Sequence, residues 1–146
     1  MEKIFKNELF AKIVDLSLRE VDLLLAKYFF GFETKIDRVE SKNSNNIKYL
    51  YLPKSKRKYA RHFSKSKTKT EKINDKYRPL PRWSTDLRDC YKLLIEANKR
   101  FGQFQILFID ENNVSVVGLN HKFTGKFSAA CARLILFLTL AEKEKK

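Results

Sequence analysis

Glycine, histidine and cysteine are all scarce in this sequence. Its 146 residues include four glycines, two histidines and two cysteines. The glycines form no phosphate-binding loop, and no nucleophile elbow is present. His62, His121, Cys90 and Cys131 are too far apart in sequence to supply the closely spaced ligand pairs of a zinc site. We therefore predict that the protein is not an enzyme and holds no metal or cofactor.

A long apolar run is missing as well. The most apolar segment, Ser128 to Glu142 (SAACARLILFLTLAE), has about 15 residues, short of the roughly 20 that cross a bilayer. Met1 to Val14 has neither the continuous apolar core nor the small-residue cleavage site of a secretory signal. We expect no membrane association and a cytoplasmic location. Because Ser128 to Glu142 is apolar almost all round, we predict that it forms the central, buried packing helix.

The two cysteines fall within apolar helical patterns. An activated thiolate at Cys131, with Arg133 two residues further on, is the alternative to a structural role. Apolar neighbours raise the pKa of a thiol, however, and make it less reactive. We predict that Cys90 and Cys131 are reduced core residues.

Acidic residues supply the remaining candidates for proton transfer or metal binding. Asp86 and Asp89 follow Ser84 and Thr85 at a predicted helix start, where capping and the helix dipole explain them without chemistry. Asp110 lies with Glu111 in a predicted turn, where both are expected to be solubilising residues.

The first 52 residues predict helical structure followed by a hairpin. Ser17 and Glu20 form a capping box ahead of apolar residues at helical spacing, and Gly31 stands where a left-handed cap would end the helix. The preceding residues fit either a separate short helix or a continuation. From Thr34 to Leu52 the alternating pattern predicts two strands joined by a loose polar turn.

The second half of the chain predicts helix, three strands and helix. A proline-rich connector (77–83) leads to a helix that begins at Ser84-Thr85-Asp86 and ends at Phe101-Gly102. Its residues at helical spacing are Leu87, Cys90, Tyr91, Leu94, Ile95 and Asn98. Strands are expected at 103–110, 114–119 and 121–127, with apolar residues on both faces that helices would cover. We predict one α+β domain over residues 1–146, an α-β-α layered sandwich with a small, mainly antiparallel sheet.

Positive charge is concentrated in one segment. The chain has 31 Lys and Arg against 17 Asp and Glu, a net charge of +14, and Pro53 to Lys76 alone contributes +8. Such a charge favours polyanionic partners. Low apolar content and like-charge repulsion predict a flexible insert at 53–76. The competing interpretation is a solvated loop without a partner.

Within this basic segment (53–76), Lys and Arg would neutralise phosphates and aromatic side chains would stack on unpaired bases. No recognition helix is visible, so contacts to the nucleic-acid backbone are expected rather than sequence-specific readout. The predicted nucleic-acid-binding residues are Lys54, Lys56, Arg57, Lys58, Tyr59, Arg61, Phe63, Lys65, Lys67 and Lys69.

Three segments of the chain, taken in order, resemble the phage ABA sandwich domain family. They are Ser17 to Phe32 (SLREVDLLLAKYFFGF), Pro81 to Asp86 (PRWSTD) and the C-terminal SAACARLILFLTLA, in which Ala129, Cys131 and Leu134 match the family pattern. The resemblance implies an α-β-α layered fold and a phage or prophage origin, hence the cytoplasm of a host cell. It implies no catalytic or binding residues, and the long basic segment departs from the usual shorter insert.

The function predicted from these patterns is non-catalytic binding of DNA or RNA through the basic segment. One alternative is an inhibitor or modulator of a host protein such as a defence factor. Another is a structural or accessory phage subunit. A homodimer is left open.

Overall fold

The computed structural model describes residues 2–41, 44–52 and 77–144, which form a mixed α+β sandwich. Helices pack on two three-stranded antiparallel sheets, β1-β2-β3 and β4-β5-β6. The predicted α+β class is thereby confirmed. In chain order the elements are α1 (Glu2–Asp15), α2 (Leu18–Leu24), a π-helical turn (Leu25–Phe29), β1 (Glu33–Ser41), β2 (Ser44–Leu52), β3 (Arg78–Pro79), α3 (Leu87–Phe101), β4 (Gln105–Phe108), β5 (Val114–Gly118), β6 (His121–Gly125) and α4 (Phe127–Glu144).

Helix α4 lies at the centre of the core, as its composition predicts. Every residue from Ala129 to Thr139 is buried except Arg133. The helix contacts α1, α2, the π-helical turn, α3, β5 and β6, so apolar side chains are needed all round. Its buried hydroxyl is satisfied within the helix, because Thr139 Oγ1 donates to the Ile135 carbonyl at 2.7 Å. Arg133 Nη2 reaches the Leu16 carbonyl at 3.4 Å, just beyond the end of α1.

The N-terminal helical region is two helices, which decides the question that the sequence leaves open. Ser17 is the N-cap of α2: its Oγ accepts from the Glu20 amide at 3.2 Å and donates to Glu20 Oε1 at 3.0 Å. The predicted cap is therefore confirmed. At the other end, the Phe30 amide bonds the Leu25 carbonyl (3.0 Å), five residues back, as in a π-helix. Gly31, with φ of 71°, then turns the chain out of the helix.

The first sheet is a hairpin extended by a short edge strand. Strands β1 and β2 pair from Glu33↔Leu52 to Ser41↔Ser44, so both strands extend into the polar cluster that the sequence assigns to a loose turn. Strand β3 pairs with the end of β2 through Tyr51↔Arg78 and Leu50↔Pro79. The Leu80 amide adds a bond to the Tyr49 carbonyl at 2.9 Å. Proline is tolerated there because β3 is an edge strand.

The second sheet packs one face on α4. Val116 and Phe123 are buried on that face, and Ile106 beside them is half-buried. On the opposite face Leu107 is 50% exposed. Leu119, which the pattern assigns to a strand, is in the two-residue turn before β6, where it and Asn120 have φ of 48° and 67°. The turn thus has the paired positive φ values of a type I′ hairpin.

Helix α3 buries a stripe of small and medium side chains. Asp86 is its N-cap and accepts from the amides of Arg88 (2.9 Å) and Asp89 (3.1 Å), as predicted. The buried residues are Cys90, Leu93 and Ala97, whereas Leu87, Tyr91 and Ile95 are 66%, 65% and 43% exposed. Three of the five apolar residues that the sequence places at helical spacing therefore face away from the core.

Candidate nucleic-acid interface

The predicted binding residues lie outside the described part of the chain. They are Lys54, Lys56, Arg57, Lys58, Tyr59, Arg61, Phe63, Lys65, Lys67 and Lys69. The structure does describe the two points from which the basic segment begins and ends. Leu52 ends β2, and Tyr77 immediately precedes β3, which is hydrogen-bonded to β2. Both ends of the segment are therefore held side by side at one edge of the first sheet.

A row of aromatic rings leads to this edge. The Trp83 ring stacks on Phe30 with centroids 4.9 Å apart, and Phe30 stacks on Phe32 at 5.2 Å with the planes only 4° apart. Phe32 in turn packs on Tyr51 at 5.2 Å. We call these four residues the aromatic row. The π-helical turn and Gly31 bring Phe30 and Phe32 onto the same side of the chain.

A groove of about 380 Å³ separates part of this row from α3. Its apolar lining consists of Phe30, Tyr51, Pro81, Trp83 and Ile95. We call it the aromatic groove.

The polar side of the aromatic groove comes from α3 and consists of Asp89, Lys92 and Glu96. Asp89 Oδ2 accepts from the Arg82 amide at 2.8 Å, and Glu96 pairs with Lys99 at 3.2 Å. Next to the groove, the Arg100 guanidinium lies 5.4 Å from the Phe29 ring centroid, a cation–π distance. The groove therefore combines neutral aromatic rings with acidic and basic side chains.

Three residues clamp the connector that forms one wall of the groove. Arg19 Nη1 donates to Asp22 Oδ2 (2.9 Å) and to the Pro81 carbonyl (3.1 Å), and Arg19 Nη2 donates to the Leu80 carbonyl (3.0 Å). Asp22 Oδ1 accepts from the Ser84 amide at 2.9 Å. Ser84 Oγ donates to the Leu18 carbonyl at 2.9 Å. This connector clamp (Arg19, Asp22 and Ser84) fixes the backbone on both sides of Trp83.

Asp22 is the buried charge of the clamp, with its side chain fully buried. Burial raises the pKa of Asp22 above the ordinary 3.8, while the hydrogen bonds from Ser84 and the Arg19 charge act in the opposite direction. The partners therefore offset only part of the cost of burying the carboxylate.

Both cysteines are free and fully buried, as predicted. The Cys90 thiol on α3 shares a hydrogen-bonding interaction with the Cys131 thiol on α4. This bond, together with burial, raises the pKa of Cys131, and the same bond lowers the pKa of Cys90. The direction agrees with the prediction for Cys131, although the Cys90 thiol contributes more to the raised pKa than burial does. Neither thiol is accessible to a substrate.

The acidic residues that the sequence offers as a site have structural partners. Asp86 caps α3, and Asp110 Oδ1 accepts from the amides of Asn112 (2.8 Å) and Asn113 (2.9 Å) in the predicted turn. These bonds, led by that from Asn112, lower the pKa of Asp110. Within residues 2–41, 44–52 and 77–144, no group of three His, Cys, Asp or Glu side chains is arranged to hold a metal ion. Of the helices described, none has the length and apolar character needed to cross a membrane.

No family model, curated protein or solved structure matches the chain significantly. The resemblance to the phage ABA sandwich domain family therefore stays a prediction.

Proposed function

We propose that this protein is a non-catalytic nucleic-acid-binding protein whose basic segment contacts the phosphate backbone of DNA or RNA. The observation that carries the proposal is the distribution of charge. The basic segment contributes +8 of the chain's +14 and is attached at both ends to the β2–β3 edge. A folded domain that presents one strongly cationic segment from a fixed edge is suited to sequence-independent backbone contact. The resemblance to a phage family supports action in the cytoplasm of a host cell.

The surroundings of the attachment edge support the same function. Lys35 Nζ lies 5.7 Å from the ring centroid of Tyr77, the residue that follows the basic segment. The aromatic row begins at Tyr51, one residue before the end of β2. Cationic and aromatic side chains are the two groups that bind nucleic acid without sequence readout.

The test is a salt titration of binding. If about four to six phosphates are engaged, the logarithm of the binding constant should fall with that of the salt concentration at a slope of about −3 to −5. Between about 50 and 200 mM salt the affinity for single-stranded or duplex DNA and RNA should therefore fall about 60- to 1000-fold. An affinity that does not change with salt would exclude this mode of binding.

Two variants of equal net charge separate the basic segment from the overall charge. One replaces five cations of the segment by glutamine: Lys54, Lys56, Arg57, Lys58 and Arg61. The matched control replaces five exposed cations elsewhere: Lys12, Lys48, Arg88, Lys122 and Lys126. We expect the first variant to lose most of the affinity and to show a shallower dependence of the binding constant on salt concentration. The affinity and salt dependence of the control variant should stay close to those of the wild type. Equal losses would show that net charge, not the segment, drives binding.

A protein partner is the second candidate, because α3 carries an exposed apolar face. Leu87, Tyr91 and Ile95 are spaced four residues apart and are 66%, 65% and 43% exposed. An inhibitor or modulator of a host protein would use such a face. A partner bound there should co-purify from host lysate after nuclease treatment and be lost with Tyr91→Ser. Loss of all bound material on nuclease treatment would favour nucleic acid instead.

A further inference from the structure

The aromatic groove combines features that suit a planar, uncharged ring. At about 380 Å³ it falls within the range of ligand pockets, roughly 300–1000 Å³. The rings of Phe30, Tyr51 and Trp83 line it. Phe30 and Tyr51 are half-buried, so their rings are held by packing and remain partly accessible. Preorganised rings lose little conformational freedom when a ligand stacks on them.

The charges around the groove indicate which part of a ligand would enter. Asp89 and Glu96 outnumber Lys92 in the lining, so they disfavour a phosphate inside the groove, and their carboxylates can accept hydrogen bonds from N–H groups. Lys92 lies on the same helix and is exposed. Lys99 and Arg100 line the neighbouring hollow together with Glu96. A ring with N–H donors would therefore sit in the groove while an attached phosphate would lie outside it, beside these cations.

We propose that the aromatic groove binds an unpaired base of a single-stranded nucleic acid, an inference that rests on the proposed function. Tyr51 belongs to the groove and is two residues before Pro53, where the basic segment begins. The basic segment therefore starts two residues from a ring that lines the groove. Bases in a duplex are paired and stacked, so they cannot enter. The protein binds single strands more tightly than duplexes of the same length and salt concentration for this reason.

The experiment compares single-stranded and duplex oligonucleotides of equal length, using the full chain and variants of Tyr51. Tyr51→Leu keeps an apolar side chain in β2 but removes the stacking ring, and Tyr51→Phe restores the ring. The control is Tyr91→Leu, an exposed tyrosine on α3 outside the groove lining. We expect Tyr51→Leu to weaken single-strand binding about 5- to 150-fold, the range for one stacked base, and to leave duplex binding within about twofold. Tyr51→Phe and Tyr91→Leu should remain close to wild type.

A direct signal accompanies these affinities, because Trp83 is the single tryptophan of the chain and lines the groove. Single strands should change Trp83 emission, and duplexes should not. The inference would be overturned if Tyr51→Leu weakened binding of single strands and duplexes equally, or weakened neither. Salt-dependent binding by the basic segment would be unaffected by that result. Absence of any nucleic-acid binding would reject the proposed function itself. A mononucleotide that changes Trp83 emission at the same concentration as a single strand would also overturn the assignment to single strands.

Discussion

Replacing Arg19 by methionine should loosen one wall of the aromatic groove without altering its lining. Arg19 makes three hydrogen bonds, one to the Asp22 carboxylate and two to the carbonyls of Leu80 and Pro81. Its side chain is 22% exposed, whereas that of Asp22 is fully buried. Methionine preserves most of the aliphatic volume and leaves Asp22 as a buried carboxylate without its cation. Removal of one partner from a buried ion pair destabilises by about 3–5 kcal/mol, and we expect a loss near the lower end.

The loss should depend on pH in a defined direction. Because burial raises the pKa of Asp22 above 3.8 in the folded state, protonation of this group favours folding. Its stabilising contribution is complete below the unfolded pKa and is lost as the pH rises through the folded pKa. Without Arg19 the folded pKa rises further. The destabilisation by Arg19→Met should therefore be largest at neutral pH and shrink as the pH falls towards the ordinary pKa of Asp22.

Urea unfolding followed by circular dichroism, at neutral pH and at several acidic values, measures this effect. Arg88→Met removes an exposed arginine from α3 and serves as the control, with an expected change within about 0.5 kcal/mol. In an Asp22→Asn background the same Arg19→Met change should have a much smaller effect, because no buried charge remains to be compensated. The reasoning fails if the loss is independent of pH, or if it is equally large in the Asp22→Asn background.

Three further predictions concern the core. Leu136→Asp places a charge at a fully buried site of α4 and should abolish folding, so a soluble variant with a cooperative melting transition would refute the central placement of α4. Gly118→Ala would bring a Cβ within 2.5 Å of the Phe104 ring and should destabilise by about 1–3 kcal/mol in thermal unfolding. That loss should shrink in a Phe104→Leu background; an equal loss would contradict the clash. Cys90 and Cys131 should react with a thiol reagent only after unfolding, so rapid modification of the native protein would contradict their burial.

Several elements could be predicted because their signals are local. Ser17 and Asp86 cap helices through bonds to amides two or three residues away, which sequence spacing reveals directly. Helix α4 could be placed centrally because its apolar side chains leave no polar face to solvent. Helix α3, by contrast, has two apolar faces, and only one of them is buried in the core. The face with Cys90, Leu93 and Ala97 is buried because smaller side chains let α3 approach α4 closely, which periodicity alone does not distinguish.

The aromatic groove could not be predicted from the sequence, because its parts come from distant segments. Phe30, Tyr51 and Trp83 meet only after the hairpin, the connector clamp and α3 are in place. The available signal was the density of aromatic residues between Tyr28 and Phe32, together with the single tryptophan in the connector. The charge of the basic segment, by contrast, is visible in the sequence without knowledge of the fold.

The π-helical turn decides which way Phe30 faces. An α-helix rotates by about 100° per residue, and the bond from the Phe30 amide to the Leu25 carbonyl spans one residue more than an α-helical bond. A chain of the same length that continued α2 as an α-helix would therefore turn Phe30 by about this angle, away from Trp83. Such a chain would keep every aromatic side chain of the row and lose their alignment. Deletion of one residue in this turn would instead restore the α-helical bond with Phe30 on the same side of the helix, so the extra residue is accommodated by the change of helix type alone.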